Sequence, residues 1–290
     1  MDLALALVPS LLFGTMALLL GRWPTDARRQ NAAVMAGAGL VSLLAAAVMG
    51  ASWSAAALLW GTVSGLLWSL GQVLVLRGFR SWGVSRTMPL TTALQLLLNA
   101  TLGVVLFHEW RSPGAMAMGV VALVAIMAGA AACSWQEPSG PGPDATARRT
   151  GILATAGSAL LYGLYPSLLR LADVSASQAL GPMGLGLLLG AVVVVLVLPR
   201  GAAVVGERSL PAAAAGGVWA VGNAFLLRST TAIGVASGFT LSQLGFVIAT
   251  VGGMTLLGEA KSRRETVASL AGVASAVVGL VLMGMASGRG

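Results

Sequence analysis

Two pairs of residues, each a tryptophan followed by an amide, are the clearest candidates for binding chemistry in this sequence. Gln72 follows Trp68 by four residues, and Asn223 follows Trp219 at the same spacing. Residues four apart lie on one face of an α-helix. A tryptophan ring can pack against the C–H face of a pyranose, while an amide donates to and accepts from its hydroxyls. The pairs indicate a site for a neutral, polyhydroxylated solute; ring packing and interhelical hydrogen bonding are the alternative.

Other uncharged polar side chains occur in equally apolar parts of the chain. Because a polar group deep in a membrane is costly, each of them needs a partner or a role. We assign Gln95 and Gln243 to substrate binding together with the two tryptophan–amide pairs. Asn99 and a set of hydroxyls lie near them in sequence: Ser85, Thr87, Thr91, Thr92, Thr240 and Ser242. For any one of these residues, interhelical hydrogen bonding remains the alternative.

The segment that contains the first pair is repeated around the second. Residues 68–84 align with residues 219–235 without a gap and share Trp, Gly, amide, Arg, Gly and Val positions. The sequence F-H-E at 107–109 likewise corresponds to L-G-E at 257–259. An internal repeat in a hydrophobic chain is typical of transporters that are built from two structural halves and bind their substrate between them.

The composition excludes a water-soluble domain. The 290-residue chain has a mean hydropathy of +0.89 and only 9% charged residues, whereas about a quarter is usual in soluble domains. Continuous apolar runs of roughly 20 residues can cross a bilayer and predict ten transmembrane helices rather than barrel strands. The runs cover approximately residues 2–21, 31–50, 55–77, 84–107, 114–134, 150–170, 177–198, 210–228, 235–257 and 265–286.

The ten helices divide into two halves. We predict a first five-helix repeat at 1–134, a linker rich in Pro, Gly and Ser at 135–149, and a second five-helix repeat at 150–290. Because five is an odd number, the second half enters the membrane from the opposite face. The predicted fold class is an all-α integral membrane protein with an inverted five-plus-five repeat. Glycines four apart, Gly61/Gly65 and Gly186/Gly190, are expected to permit close helix packing.

Lysine and arginine are distributed unequally between the two faces. The connections after odd-numbered helices contain 13 of the 17 residues, and the other face contains 4. The positive-inside rule then predicts that both termini lie outside the cell and the linker in the cytoplasm. Membrane orientation also explains the net charge of +8 better than a nucleic-acid partner, which we do not expect.

Carboxylates are absent from the middle of every predicted helix, so a proton pathway has few candidates. Glu109 and Glu259 end helices 4 and 9. His108, the only histidine, is of the residue type that most often carries protons near neutral pH. We name these three as candidates for proton coupling. The alternative for each glutamate is a capping or salt-bridged helix end, with Arg111 or Lys261 as the partner.

Motifs of enzymes and of metal sites are missing from the sequence. It contains no H-E-x-x-H, no Walker A motif and no cluster of His, Cys and carboxylates with metal-ligand spacing. We therefore predict that the chain is not an enzyme and binds neither a metal nor a cofactor.

Several separated blocks resemble one family of transporters. They include G-V-S-R-T-M-P-L-T-T-A-L-Q-L-L at 83–97 and G-G-M-T-L-L-G-E at 252–259, with further blocks at 1–14, 103–110, 219–227 and 234–245. On these blocks the chain resembles the glucose/ribose porter family of the drug/metabolite transporter superfamily. The resemblance implies ten helices, an inverted five-plus-five repeat and monosaccharide uptake, coupled to protons, at a bacterial plasma membrane. His108 departs from the family, which tends to have glycine before the glutamate of helix 4.

Two other functions stay open at this point. An exporter of drugs or small metabolites on the same fold would favour an aromatic, carboxylate-bearing or cationic cavity, and the amides argue against it. A membrane sensor or scaffold would not need matched polar positions in both halves. Orientation is open as well, because structurally known members of the superfamily tend to have cytoplasmic termini.

Overall fold

The computed structural model describes residues 2–108, 110–137, 142–197, 204–233 and 241–287. These residues contain ten α-helices and no β-strand, so the prediction of an all-helical chain is confirmed for them. In chain order the helices are α1 (Asp2–Arg22), α2 (Ala27–Val48), α3 (Ala55–Trp82), α4 (Val84–Phe107), α5 (Pro113–Ser134), α6 (Ala145–Leu171), α7 (Ala176–Val197), α8 (Ser209–Ile233), α9 (Gly245–Thr255) and α10 (Arg263–Ser287).

Most of these helices can cross a membrane. Eight of those described are long and apolar enough, and α1 and α9 contribute the shorter apolar stretches Leu7–Arg22 and Gly245–Thr255. The chain is therefore a multi-pass membrane protein. Several helix ends differ from the predicted runs: α3 continues to Trp82, past residue 77, and α8 continues to Ile233, past residue 228, while α6 begins at Ala145, inside the segment that we assigned to the linker, and α9 begins at Gly245.

Side-chain caps explain where several helices begin. Ser54, Ser112 and Asp144 each accept a hydrogen bond from the backbone N–H three residues later, at the first turns of α3, α5 and α6. The Asp144 cap starts α6 before its apolar run, because the first turns of this helix carry the charged residues Arg148 and Arg149. Hydropathy alone does not detect such a polar helical extension.

A single glycine separates α3 from α4. Gly83 has a φ of +89°, a conformation that glycine adopts without steric cost. A Cβ atom at this position would also lie 2.6 Å from a carboxylate oxygen of Glu259. Gly83 therefore allows the chain to reverse direction tightly while the start of α4 stays in contact with the α9–α10 connection.

The helices pack as two groups. The first group contains α1, α2, α3, α6, α7 and α8, and the second contains α4, α5, α9 and α10. Within the first group, α3 lies against α6 and α7, and α8 lies against α1 and α2. The main contacts between the groups are those of α4 with α6 and of α9 with α1. Each of these contacts made by α3 or α4 therefore has a counterpart made by α8 or α9, the equivalent helices of the second half.

Glycine allows the helices of the first group to approach closely. A Cβ atom at Gly65 of α3 would lie 2.2 Å from a carbonyl oxygen of α7, and one at Gly186 of α7 would lie 2.0 Å from a carbonyl oxygen of α3. Gly216 of α8 meets a carbonyl oxygen of α2 at the same 2.0 Å. Small residues are typical of such contacts in membranes, where helices associate by close packing. Gly65 and Gly186 thus have the packing role predicted for them.

We expect Gly216→Ala to destabilise the fold, because the added methyl group must push α8 away from α2. Overpacking of this kind costs about 1–3 kcal/mol of the free energy of unfolding. Gly217→Ala is the matched control, since its Cβ would lie 3.5 Å from Val41 Cγ2, an ordinary contact. Thermal unfolding of both detergent-purified variants measures the effect. Equal melting temperatures would show that the α2–α8 contact does not depend on glycine.

Candidate functional site

A cavity lies among α1, α3, α4, α6, α8 and α9, at the boundary between the two helix groups. It offers about 110 Å³ to the centres of water molecules, which is room for several of them at roughly 10–15 Å³ each. No charged side chain lines it among the residues that the structure describes. The polar lining consists of Gln72, Thr91, Thr92, Gln95, Ser242 and Gln243, and the aromatic lining of Phe13, Trp68, Phe79, Tyr162, Tyr165, Trp219 and Phe246.

The two tryptophans predicted from the repeat meet inside this cavity. The ring centroids of Trp68 and Trp219 are 4.1 Å apart, with the planes inclined at 36°. Trp68 also stacks on Tyr162 at 5.4 Å, and Trp219 on Phe13 at 6.4 Å. The four rings form one aromatic wall.

Gln72 faces the aromatic wall with one half of its amide unpaired. The side chain is 2% exposed, and its Oε1 accepts a hydrogen bond from the Tyr162 hydroxyl. Its Nε2 has no hydrogen-bond partner in the described part of the chain. A buried donor without a partner costs about 1–3 kcal/mol. Gln72 is therefore the lining residue with the strongest requirement for a hydrogen-bond acceptor in the cavity.

The structure brings most of the other predicted binding residues to the same cavity. The Gln95 Nε2 donates to the backbone carbonyl of Tyr162 at 3.3 Å, and the Gln243 Nε2 donates to the Ser242 hydroxyl at 3.4 Å. Asn223 is buried, with 6% of its surface exposed, but it does not line the cavity. A substrate-binding role for Asn223 stays a prediction.

Sequence reasoning missed the two tyrosines that line the cavity. Tyr162 and Tyr165 lie on α6 and are the only tyrosines in the chain. In the second half of the chain, the repeated motifs occur in and near α8 and α9, and so they did not point to α6. The signal that could have found the tyrosines is their spacing: residues three apart share a helix face, and both lie within an otherwise apolar run.

Glu259 caps the first turn of α4. Its carboxylate accepts hydrogen bonds from the backbone N–H groups of Val84 at 2.5 Å and Ser85 at 3.0 Å, and from the Ser85 hydroxyl at 2.5 Å. A negative charge is favourable at this end because it meets the unpaired N–H groups and the positive end of the helix dipole. Glu259 therefore has a structural role, whatever part it takes in proton coupling.

A buried cluster of charges surrounds this cap. Arg86 of α4 forms an ion pair with Glu265 of α10 at 3.0 Å, and both side chains are nearly inaccessible. Glu265 also accepts hydrogen bonds from the backbone N–H groups of Glu137 and Ser262. The Lys261 ammonium donates to the Cys133 carbonyl at 2.9 Å and the Ser269 hydroxyl at 2.6 Å. Burial, together with the nearby Arg86 charge, lowers the pKa of Lys261 to about 8.

His108, another candidate for proton coupling, lies at the opposite end of α4. His108 is exposed and terminates the helix with a φ of 52°. Gly258, its counterpart in the second half, has a φ of 64°. Both positions require the left-handed conformation, which glycine adopts more easily than histidine. Glu109 lies outside the described residues.

Comparison with known proteins places the chain in a family. The family described as "Sugar transport protein" matches residues 4–286. This chain belongs to the Sugar transport protein family. Membership confirms the resemblance found in the sequence, and it makes the chain a transporter rather than an enzyme, as predicted.

Individual members of the Sugar transport protein family match over nearly the full chain. The chain is 34% identical over 287 residues to the glucose uptake protein GlcU of Bacillus subtilis, with 99% of each chain covered. It is 32% identical over 287 residues to "Probable glucose uptake protein GlcU" of Bacillus anthracis, also with 99% of each covered. A crystal structure at 19% identity, with a TM-score of 0.64 and coverage of 99% and 98%, has a similar fold.

We expect Glu259→Gln to lower the stability of this family member. A glutamine can offer only one oxygen to the two N–H groups of Val84 and Ser85, so one of them loses its acceptor at a cost of about 1–3 kcal/mol. Glu137→Gln is the control, because its ion pair with the 82%-exposed Arg264 contributes little. Thermal unfolding in detergent compares the two variants. A parental melting temperature for Glu259→Gln would mean that the cap is dispensable.

Proposed function

We propose that this protein imports a monosaccharide similar to glucose or ribose across a bacterial plasma membrane, by alternating access and in symport with protons. The observation that carries the proposal is the chemistry of the cavity. Aromatic rings and uncharged hydrogen-bonding groups line it together, and no charge does so among the described residues. A neutral solute with many hydroxyls matches such a lining, because it can form hydrogen bonds with the uncharged polar groups and brings no charge into the cavity.

The relatives agree with this substrate class. Proteins that match 99% of the chain are named for glucose uptake, and the family is described as sugar transport. An exporter of drugs or small metabolites is the other candidate on this fold. Cationic or anionic compounds would leave a charge uncompensated in the described lining, and burying an unpaired charge is much more costly than burying a hydroxyl.

The packing pattern supports an inverted five-plus-five repeat. The contacts of α3 with α6 and α7 correspond to those of α8 with α1 and α2, and the α4–α6 contact corresponds to the α9–α1 contact. The ends of α4 and α9 also correspond, since His108 and Gly258 share a left-handed conformation. Inverted repeats of this kind are common in secondary transporters, whose substrate sites lie between the halves.

An apolar layer at one end of the cavity supports alternating access. Ala17, Val84 and Ala249 form a buried cluster there, against which Phe79 and Met88 pack. At the same end, the backbone of Gly21 is so close to Val84 and Leu257 that a Cβ atom would lie 2.7 and 2.6 Å from their side chains. We infer that this contact between α1 and the start of α4 is the closed gate on the arginine-rich face, which the positive-inside rule assigns to the cytoplasm.

We expect proteoliposomes that contain the protein to take up labelled glucose or ribose. Gln72→Ala removes the unpaired donor, and the substrate oxygen that accepted from it is then left unpaired in the buried cavity at a cost of about 1–3 kcal/mol. Affinity should fall by roughly 5- to 150-fold, as measured by quenching of tryptophan fluorescence. Trp68→Ala should also weaken binding, while Trp68→Phe should retain part of the affinity because a stacking face remains.

Trp135→Ala is the control, because Trp135 lies at the end of α5 and is 43% exposed. Asn223→Ala separates two interpretations of the repeat. If the two amides are equivalent, as the repeat suggests, Asn223→Ala should lower the sugar affinity as much as Gln72→Ala does. Because Asn223 does not line the cavity, the structure instead predicts little change in affinity. Parental sugar affinity in both amide variants would show that the binding site lies elsewhere.

Proton coupling predicts a different set of effects. If it runs through Glu109 or Glu259, the change to Gln should abolish sugar accumulation driven by a pH gradient while sparing sugar exchange at equal pH. Sugar exchange also controls for the loss of the α4 cap, because a destabilised Glu259→Gln protein would lose both accumulation and exchange. His108→Gly removes the imidazole from a position whose φ suits glycine. Normal accumulation in all three variants would mean that the carriers lie elsewhere or that transport is uncoupled.

A further inference from the structure

We propose that Tyr162 is a positioning residue that sets the direction of the hydrogen bonds in the sugar site. Its hydroxyl holds the amide oxygen of Gln72, and its backbone carbonyl holds the amide nitrogen of Gln95. Gln72 then donates to the substrate and Gln95 accepts from it. The inference rests on the proposed function and adds to it a rule for which sugar oxygens must be hydroxyls.

The orientation of Gln72 follows from its hydrogen bond with Tyr162. The tyrosine hydroxyl donates to Oε1, and Nε2 of the same amide has no acceptor among the residues that the structure describes. Gln72 lines the cavity and is 2% exposed, so no bulk solvent takes the place of that acceptor. We therefore assign the donor role in the sugar site to the Gln72 amide, from which an ether oxygen, a hydroxyl or a fluorine of the substrate can accept.

The orientation of Gln95 is the reverse. Its Nε2 donates to the Tyr162 carbonyl at 3.3 Å, and its Oε1 accepts no hydrogen bond from the described part of the chain. Gln95 also lines the cavity. An amide oxygen can bind only a donor, so the substrate atom that meets Gln95 must carry a proton.

The ring of Tyr162 is itself held in place. It stacks on Trp68 with the planes 21° apart, and it lies so close to Gly71 that a Cβ atom there would be 2.7 Å from two ring carbons. Gly71 directly precedes Gln72 on α3, so the same close approach brings the hydroxyl to the amide. A ring packed in this way holds the hydroxyl oxygen of Tyr162 beside Gln72.

Deoxy and deoxyfluoro derivatives of glucose distinguish the two directions. Fluorine accepts a hydrogen bond but donates none, whereas a deoxy position does neither. At the sugar position that meets Gln72, the fluoro derivative should bind roughly three- to fivefold more tightly than the deoxy derivative. At the position that meets Gln95, both derivatives should be equally weak. Gln72→Ala and Gln95→Ala identify the two positions. Gln72→Ala should remove the fluoro-over-deoxy preference at the position that meets Gln72, and Gln95→Ala should remove the preference for a hydroxyl over both derivatives at the position that meets Gln95.

Tyr162→Phe is the decisive variant. Without the hydroxyl the Gln72 amide can turn over, so the fluoro-over-deoxy preference at its position should disappear while sugars remain bound. A purely structural role for the hydroxyl would instead weaken all derivatives by one common factor. Tyr165→Phe is the matched control, because it removes the other tyrosine hydroxyl of the cavity, which forms no hydrogen bond with Gln72 among the described residues, and the fluoro-over-deoxy preference should remain.

Two results would overturn the inference alone. One is an unchanged fluoro-over-deoxy preference in Tyr162→Phe. The other, which needs no Tyr162 variant to fold, is the absence of that preference at the Gln72 position of the parent protein. A parent protein that binds no sugar at all would instead overturn the proposed function, and this inference with it.

Discussion

Close contact between helix backbones at small residues is the constraint on which the rest of this structure depends. Lipid is as apolar as a leucine side chain, so helices in a bilayer associate by packing rather than by excluding water. Gly65 of α3 and Gly216 of α8 approach neighbouring backbones so closely that no Cβ atom fits. Trp68 and Trp219 follow these glycines by three residues each. The same contacts that hold α3 and α8 in the first group therefore also bring the two rings to 4.1 Å.

Charge is confined to helix ends, where it fixes the second group. A buried ion pair such as Arg86–Glu265 gains little over apolar packing, but the loss of one partner is costly. Together with the Glu259 cap and the Lys261 hydrogen bonds, this pair joins α4, α5 and α10 at one end. The described lining of the cavity is uncharged by contrast. A neutral solute of the proposed kind would therefore meet no unpaired charge among the described lining residues.

Periodicity and hydropathy predicted the helices, and the repeat identified Trp68 and Trp219 as matched candidates, because both depend on patterns along the chain. The partners of the polar groups could not be predicted in the same way. Glu259 was expected to be a helix-end residue, but its acceptor role joins it to Val84, 175 residues away in sequence. Tyr162 was missed because a tyrosine in an apolar run has the same local sequence whether it faces lipid, a neighbouring helix or a cavity. Asn223 shows the converse, since its matched position in the repeat does not make it line the cavity.

The position of the cavity gives the two helix groups their functional meaning. Its aromatic wall comes from α1, α3, α6 and α8 of the first group, and most of its polar lining comes from α4 of the second group and from the residues just before α9. Glycine contacts hold both groups together: in the second, a Cβ atom at Gly129 of α5 would lie 2.5 Å from the Gly272 carbonyl oxygen of α10, and buried charges add to these contacts. Between the groups, a Cβ atom at Gly14 of α1 would lie 2.7 Å from the Gly245 carbonyl oxygen of α9, and the Gln95 amide donates to the Tyr162 carbonyl. Because the cavity lies at this boundary, a movement of one group against the other would change its shape, as the proposed alternating access requires.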